Sequence, residues 1–241
     1  MRRLRVLVFV LPMLAAVMAK GDETLFQGAN FRDLERHGSR FYLTGILGAS
    51  FATLTSPGSP SVNEDLFTTG GTVGVAFAAL DRAWRFEFEG RARDPITGTR
   101  ILEDGESTSL LSATGGWSAM VNLWRDYDLT DSLTGYIGGG LGGGGYQFGI
   151  DQNFPIQDST FTGLGTVGGL AWQIGAGIAF AITDKITLDI GYRYFEIGAG
   201  SVPAELAQSG IPIETQAITS AFSANEFFFG IRIYEPFDWR R

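Results

Sequence analysis

Cysteine is absent from the 241 residues, histidine occurs once, and only 18% of the residues are charged. Without cysteine, a disulfide scaffold and a cysteine-ligated metal site are both excluded. The single histidine, His37, leaves little of the base chemistry that lipases, deacylases and proteases generally use. We therefore expect a non-enzymatic protein with no metal and no other cofactor.

Basic residues are also scarce. The chain has 18 Lys and Arg and 26 Asp and Glu, which gives a formal net charge of −8. This balance argues against a nucleic-acid partner, since binding nucleic acid needs a basic face. No apolar run of 18 residues occurs after the N-terminal segment, so a membrane span in the mature chain must be made of strands.

The N-terminal segment, residues 1–19, has the pattern of a secretory signal peptide. Three arginines precede an apolar stretch, and Val17-Met18-Ala19 forms a cleavage site. Residues 20–40 are polar and predict a periplasmic segment with room for one short helix over residues 31–37, capped by Asn30. The mature chain is therefore expected to be exported.

What the chain has in abundance is glycine, 34 residues, and aromatic residues, 13% of the total. Period-two alternation dominates and is clearest over residues 84–93, where Trp84, Phe86 and Phe88 alternate with charged residues. Seven further segments alternate less sharply. The eight predicted strands cover residues 41–54, 71–80, 84–93, 109–125, 133–141, 167–182, 186–197 and 222–234.

The connections between these segments alternate regularly in length. Residues 55–70, 94–108, 142–166 and 198–221 are long connections, whereas the three between them are short. A transmembrane up-and-down barrel with short periplasmic turns and long outer loops has this alternation. The sequence therefore predicts an all-β, eight-stranded antiparallel barrel over residues 41–234, followed by a tail, 235–241.

The run LAWQIGAGIAFAITDKITLDIGYRYFEIG, residues 170–198, and the final ANEFFFGIRIY, residues 224–234, resemble the OmpA-like and opacity-type (Opa-like) eight-stranded outer-membrane barrels of Gram-negative bacteria. The resemblance implies an integral outer-membrane location and roles in membrane integrity or adhesion. It also implies contact with outer-membrane lipid, lipopolysaccharide and the barrel-assembly machinery. The chain departs from that pattern by ending in Arg241 rather than in an aromatic residue of the last strand.

Three sets of candidate functional residues follow from this fold. Charged residues on the faces opposite the apolar ones are expected to pair inside the barrel; they are Arg85, Glu87, Glu89, Arg91, Arg93, Asp189, Arg193, Glu226 and Arg232. Aromatic residues near strand ends are expected at the membrane interfaces; they are Trp84, Trp124, Tyr127, Trp172, Phe180, Tyr194 and Tyr234. Acidic residues are expected in the outer loops; they are Glu64, Asp65, Glu103, Asp104, Glu106, Asp151, Asp158, Glu205 and Glu214.

Three functions remain open on these patterns. The first is a structural or surface-interaction protein whose acidic loops attract a basic or cationic partner. The second is a narrow channel for ions or small solutes, with the interior charges as its gate. The third is a secreted soluble lipid-binding barrel, in which the apolar faces would turn inward.

Overall fold

The structure is a computed structural model that describes residues 38–80, 82–102 and 104–236. The predicted signal peptide, the possible short helix with His37, and tail residues 237–241 lie outside the described residues. Within the described ranges, no helix is long and apolar enough to cross a membrane.

The described residues form nine antiparallel strands. They are β1 (Arg40–Ser56), β2 (Ser59–Ala79), β3 (Arg82–Arg93), β4 (Ile96–Ile101), β5 (Thr108–Asp128), β6 (Leu133–Phe154), β7 (Ser159–Ala181), β8 (Ile186–Gln208) and β9 (Ile211–Tyr234). A single 3₁₀ turn, Pro155–Gln157, joins β6 to β7. The strands begin at Arg40 and end at Tyr234, against predicted limits of 41 and 234.

The nine strands close into a ring of eight, as predicted. Strands β3 and β4 both pair with β5 and are separated only by Asp94 and Pro95, so they act as one interrupted strand of the barrel. Pro95 has no backbone N–H to offer a ladder, which explains the interruption. Pairing of β1 with both β2 and β9 closes the ring.

The long connections lie at one end of the barrel, as predicted, but they are β hairpins rather than irregular loops. The β1–β2 hairpin turns at Pro57-Gly58 and the β8–β9 hairpin at Ser209-Gly210. Strands β5 to β9 are therefore 21 to 24 residues long, whereas about 9–11 residues suffice to cross a bilayer. About half of each of these strands therefore extends beyond the membrane.

The outward side chains divide the barrel into two halves. In residues 40–51, 67–93, 117–145, 170–194 and 225–234, here called the membrane-level half, the outward side chains are largely apolar, as at Leu47, Phe88 and Ile231. In residues 52–66, 94–116, 146–169 and 195–224, here called the protruding half, they are largely Thr, Ser, Asn, Asp and Glu. The apolar belt identifies the part in contact with lipid.

Bulges near the boundary reverse which residues face inward. The β5–β6 register shifts between Thr114 and Trp117, where Gly115 has a positive φ of 63°. Ala113 is consequently buried although Trp117, four residues later on the same strand, is exposed. A similar shift between Ile197 and Gly200 changes the facing of β8.

Candidate functional site

The interior of the membrane-level half holds a cluster of five charged residues from β3, β8 and β9. The Glu226 carboxylate accepts from Arg193 at 2.7 Å, from Arg93 at 2.8 Å and from Arg91 at 3.3 Å. Glu89 forms ion pairs with Arg193 at 2.7 Å and with Arg91 at 3.0 Å. All five side chains are buried, so each guanidinium takes a carboxylate partner that offsets its desolvation.

A second cluster lies closer to the periplasmic end. Arg85 bonds to Asp126 at 2.9 Å and to Glu87 at 3.1 Å. Glu87 also accepts from the Tyr42 hydroxyl at 2.7 Å and from the Trp124 indole N–H at 2.9 Å. These four bonds surround one buried carboxylate and one buried guanidinium with partners.

The ion pair between Arg232 and Asp189, at 2.5 Å, completes the second cluster. Arg232 also donates to the Tyr234 hydroxyl at 3.1 Å. The structure thus places all nine predicted interior charges inside the barrel and brings every one of them into an ion pair.

Two amide side chains in the same interior were not singled out from the sequence. Gln173 donates to Asn122 at 2.6 Å and accepts from Arg193 at 2.9 Å. Asn122 in turn donates to Glu89 at 3.4 Å. Both amides alternate with apolar neighbours in the sequence, which places them on the inward face. This alternation could have identified them as members of the interior network.

Of the predicted interface aromatics, Trp124 and Tyr234 are wrong, because both lie inside the barrel. Each side chain is 3% exposed. The Trp124 indole N–H donates to Glu87, and the Tyr234 ring makes an edge-to-face contact with Tyr42, 5.3 Å between centroids. Position at a strand end suggested an interface role, but strand parity decides facing. Trp124 shares its face with Asn122, and Tyr234 shares its face with Arg232.

The remaining predicted aromatics lie on outward faces, with Trp84, Tyr127 and Phe180 near strand ends and Trp172 and Tyr194 in the interior of β7 and β8. Tyr127 and Trp172 are exposed, whereas Trp84, Phe180 and Tyr194 are half-buried. Trp84 donates its indole N–H to the Ala79 carbonyl at 3.2 Å. Tyr194 packs 5.3 Å from Trp172, centroid to centroid, close to the boundary with the protruding half.

The predicted acidic loop residues that the structure describes belong to the protruding half, but most of them lie on strands. Glu64, Asp65, Asp151, Glu205 and Glu214 are exposed strand residues, because the expected loops are hairpins. Asp104, Glu106 and Asp158 lie in turns, and Glu103 lies outside the described residues.

The turn at Asp104 is fixed by its carboxylate. Asp104 accepts from the Ser107 hydroxyl and, at 2.8 Å, from the Ser107 backbone N–H. The hydroxyl bond, followed by the backbone bond, lowers the pKa of Asp104 below its ordinary value, since both bonds favour the ionised carboxylate.

An apolar core that the sequence did not predict fills the protruding half. Phe148, Phe161, Phe195 and Phe222 pack inside it with aliphatic side chains of β1, β2, β4, β5 and β8. Tyr146 adds a hydroxyl, which bonds to the Ser220 hydroxyl at 2.9 Å. The interior is therefore charged where lipid surrounds the barrel and apolar where water does.

No group of three or more His, Cys, Asp or Glu residues able to hold a metal ion occurs among the described residues. The interior carboxylates face guanidiniums, which already neutralise them. The arrangement can hold the barrel shut, and its outer face can attract cations.

The chain belongs to the outer membrane protein beta-barrel domain family, whose sequence profile matches residues 9–225. The predicted relationship to eight-stranded outer-membrane barrels is thereby confirmed, and the family implies the bacterial outer membrane as the location.

Individual relatives are distant. An uncharacterized protein of Brucella abortus is 26% identical over 112 residues, 45% of this chain and 37% of the relative. Outer membrane protein PagN of Salmonella typhimurium is 28% identical over 121 residues, 46% of each chain. The matched region is thus less than half the length of these curated relatives.

The solved structure of Neisserial surface protein A is 17% identical and covers 82% of this chain and 99% of that one, with a TM-score of 0.39.

Proposed function

We propose that this chain is a non-enzymatic outer-membrane protein whose protruding half binds a cationic partner at the cell surface. One observation carries the proposal: strands β5 to β9 continue past the apolar belt as an ordered, polar-surfaced hairpin body with its own apolar core. A barrel that only filled membrane would need about 9–11 residues per strand. The additional length supports a role outside the bilayer.

Charge on the protruding half supports a cationic partner. Among its described residues, Arg100 is the single basic residue, whereas acidic residues occur on all four hairpins. Asp151 and Glu205 lie in one outward row with Thr162 between them. Strands are about 4.8 Å apart, so these carboxylates are about 10 Å from one another. They border an outer groove of about 480 Å³, where a basic side chain would meet both.

The interior favours this proposal over a channel. Charged side chains block the membrane-level half, and Phe148 and Phe195, both 0% exposed, lie in the apolar core above them. Ions would have to cross both layers, and near-balanced charges of both signs fill space better than they select ions. The soluble lipid-binding alternative is disfavoured by the outward apolar belt and by the family.

Lipid, lipopolysaccharide and the barrel-assembly machinery remain predicted partners. The outward apolar belt is the surface that lipid would contact, with Tyr127 and Trp172 at its edges. The final strand β9 carries Phe227, Phe229 and Ile231 on its outward face, which is the apolar pattern that assembly machinery would read. A contribution to membrane integrity would rest on these contacts.

Binding of a cationic polymer tests the proposal. The mature chain in lipid nanodiscs should bind fluorescent poly-L-lysine and not poly-L-glutamate, with an affinity that falls as salt rises. A double variant, Glu205→Gln with Glu214→Gln, should weaken binding about three- to tenfold. The matched control is Asp131→Asn with Asp184→Asn, which removes the same charge at the periplasmic end.

Equal loss in the two double variants would mean that net charge alone acts, and the surface-binding proposal would fail. Recording in planar bilayers distinguishes the channel alternative. We expect no conductance steps from the folded chain, and steps abolished by Glu226→Gln would favour the channel.

A further inference from the structure

Strand β9 extends well past the strand that pairs with it on one side. The last β1–β9 pair is Thr55 with Ala221, and β1 ends at Ser56, whereas β9 begins at Ile211. Among the described residues, 211–220 pair only with β8. The ring of eight is thus open at the top of the protruding half, and β9 has a free edge there.

The backbone groups that face this edge can be identified from its lower end. The Thr219 carbonyl accepts from the Ser56 hydroxyl at 3.0 Å, so odd-numbered residues of this stretch point their backbone groups toward β1. In an antiparallel strand, alternate residues direct both N–H and C=O to the same side. Thr215 and Ala217 therefore present unpaired donors and acceptors, and both residues are exposed. A register shift opposite Leu206 and Ala207 bounds the edge at its tip.

An open cavity of about 350 Å³ adjoins the free edge. Phe154, Phe161, Leu206 and Ile218 form its apolar lining, Gln152 and Gln216 add amide groups, and the β1–β2 turn borders it. An extended segment beside β9 would direct every second side chain to the inward face, where this cavity lies. The space accommodates one or two aliphatic side chains.

The outward face of such a segment would lie on the same side as Glu205, which is opposite Thr215 on β8, and as Asp151 in the same outward row. Glu214 pairs with Leu206, a residue of the cavity wall, so it lies on the inward face at the tip of the edge. A segment that alternates apolar and basic residues would therefore place its apolar side chains in the cavity and its basic side chains on the face that carries Glu205. Charge complementarity of this kind selects the partner more than it adds affinity.

We propose that the free edge of β9, residues 214–218, binds an extended cationic segment of a partner polypeptide by strand addition, with its apolar side chains in the adjoining cavity. Backbone hydrogen bonds provide the affinity in this mode, and alternate side chains provide the specificity. The inference rests on the proposed function and names the partner chemistry for it.

The test uses a fluorescent seven-residue peptide of alternating lysine and valine, and a twin that is N-methylated at every residue after the first. Both carry the same charge and side chains, but the twin lacks all of its backbone amide donors. Anisotropy with the mature chain in nanodiscs should show the twin binding about tenfold more weakly. Poly-L-lysine, measured in parallel, reports the charge attraction alone.

Variants at one position locate the edge. Thr215→Pro removes the edge-facing N–H and should weaken peptide binding about tenfold. The matched control, Thr215→Val, keeps the backbone donor and should bind within about twofold of the original chain. Heat-dependent gel mobility verifies that each variant is a closed barrel, and the comparison of the two peptides on the unaltered chain decides the question if Thr215→Pro does not fold.

Equal affinity for the two peptides would overturn strand addition while leaving the cationic surface proposal intact, provided poly-L-lysine still binds. Absence of binding by both peptides and by poly-L-lysine would overturn both proposals. Because the chain contains no native cysteine, Thr215→Cys provides a unique probe for self-pairing. A disulfide-linked dimer of that variant would assign the edge to a second copy of the chain and overturn the peptide proposal.

Discussion

The same strands run through both halves of this barrel, but the apolar face of the sheet points outward in one half and inward in the other. In the membrane-level half, apolar side chains face outward and ion pairs such as Arg193–Glu226 fill the interior. In the protruding half, polar side chains face outward and Phe148 and Phe195 fill the interior. A closed sheet thus changes its pattern with the solvent around it, and the ladders of β5–β6, β7–β8 and β8–β9 shift or break close to the boundary.

The difference shows what each solvent requires. Lipid demands an apolar exterior, so the interior must take the polar residues, and these must be paired because they are buried. Water allows a polar exterior, so the protruding half can bury apolar side chains as a soluble sandwich does. Bulges at Gly115 and near Gly198 accompany the change on β5 and β8.

The largest expected effect comes from breaking the ion pairs of the membrane-level half. Glu226→Ala leaves three buried guanidiniums without their shared carboxylate and should cost about 3–5 kcal/mol of unfolding free energy. The measurement is the urea midpoint of heat-dependent gel mobility. Glu196→Ala, which removes an outward carboxylate in the protruding half, is the control and should change the midpoint little.

Breaking the apolar core of the protruding half should have a local effect of slightly smaller size. Phe148→Ala opens a cavity in a fully buried site and should destabilise the hairpins by about 3–4 kcal/mol. Proteinase K should then cut within residues 146–169 and leave the membrane-level half protected. Ile211→Ala, at an exposed site, should leave the proteolysis pattern unchanged; cleavage spread over both halves would show that they unfold as one unit.

An outward charge should distinguish the halves by its depth. Ile231→Arg places a guanidinium on the lipid-facing belt and should cost about 2–4 kcal/mol. Asn153→Arg places the same group on the outward face of the protruding half, where water solvates it, and should be nearly neutral. Equal costs at the two positions, measured by urea unfolding in lipid vesicles, would contradict the assigned membrane boundary.

The smallest effect concerns the pH dependence of one turn in the protruding half. Bonds from Ser107 lower the pKa of Asp104, so their contribution is present above the ordinary carboxyl pKa and is lost as the pH falls through the lowered value. The protection of the Ser107 backbone amide against hydrogen exchange, taken relative to the intrinsic rate at each pH, should therefore fall only in acid. In Asp104→Asn this acid dependence should disappear, because the side chain no longer titrates; its persistence would assign the effect to another group.

Much of the membrane-level half was predictable because period two is strict there. The residues Trp84 to Arg93 alternate without interruption, which placed five charges inside before any partner was known. The partners themselves were not predictable: Glu226 and Arg93 are 133 residues apart in sequence, and only ring closure brings them within 2.8 Å.

The protruding half was harder to predict because bulges, glycine and mixed residues weaken the alternation. Residues 142–166 and 198–221 were predicted as loops, yet they continue β6 to β9. The interface prediction is wrong for Trp124 and Tyr234 for a related reason. It rests on their positions near strand ends and ignores which face of the strand each side chain occupies.

The sequence by itself determined the class of the fold, the number of strands around the ring and the inward direction of the charges, because alternation along a strand is a local property. Tertiary structure alone decided which charges pair, where the apolar core lies and which strand edge stays free. Those features depend on contacts between residues far apart in the chain, and on how far each strand extends beyond its neighbour.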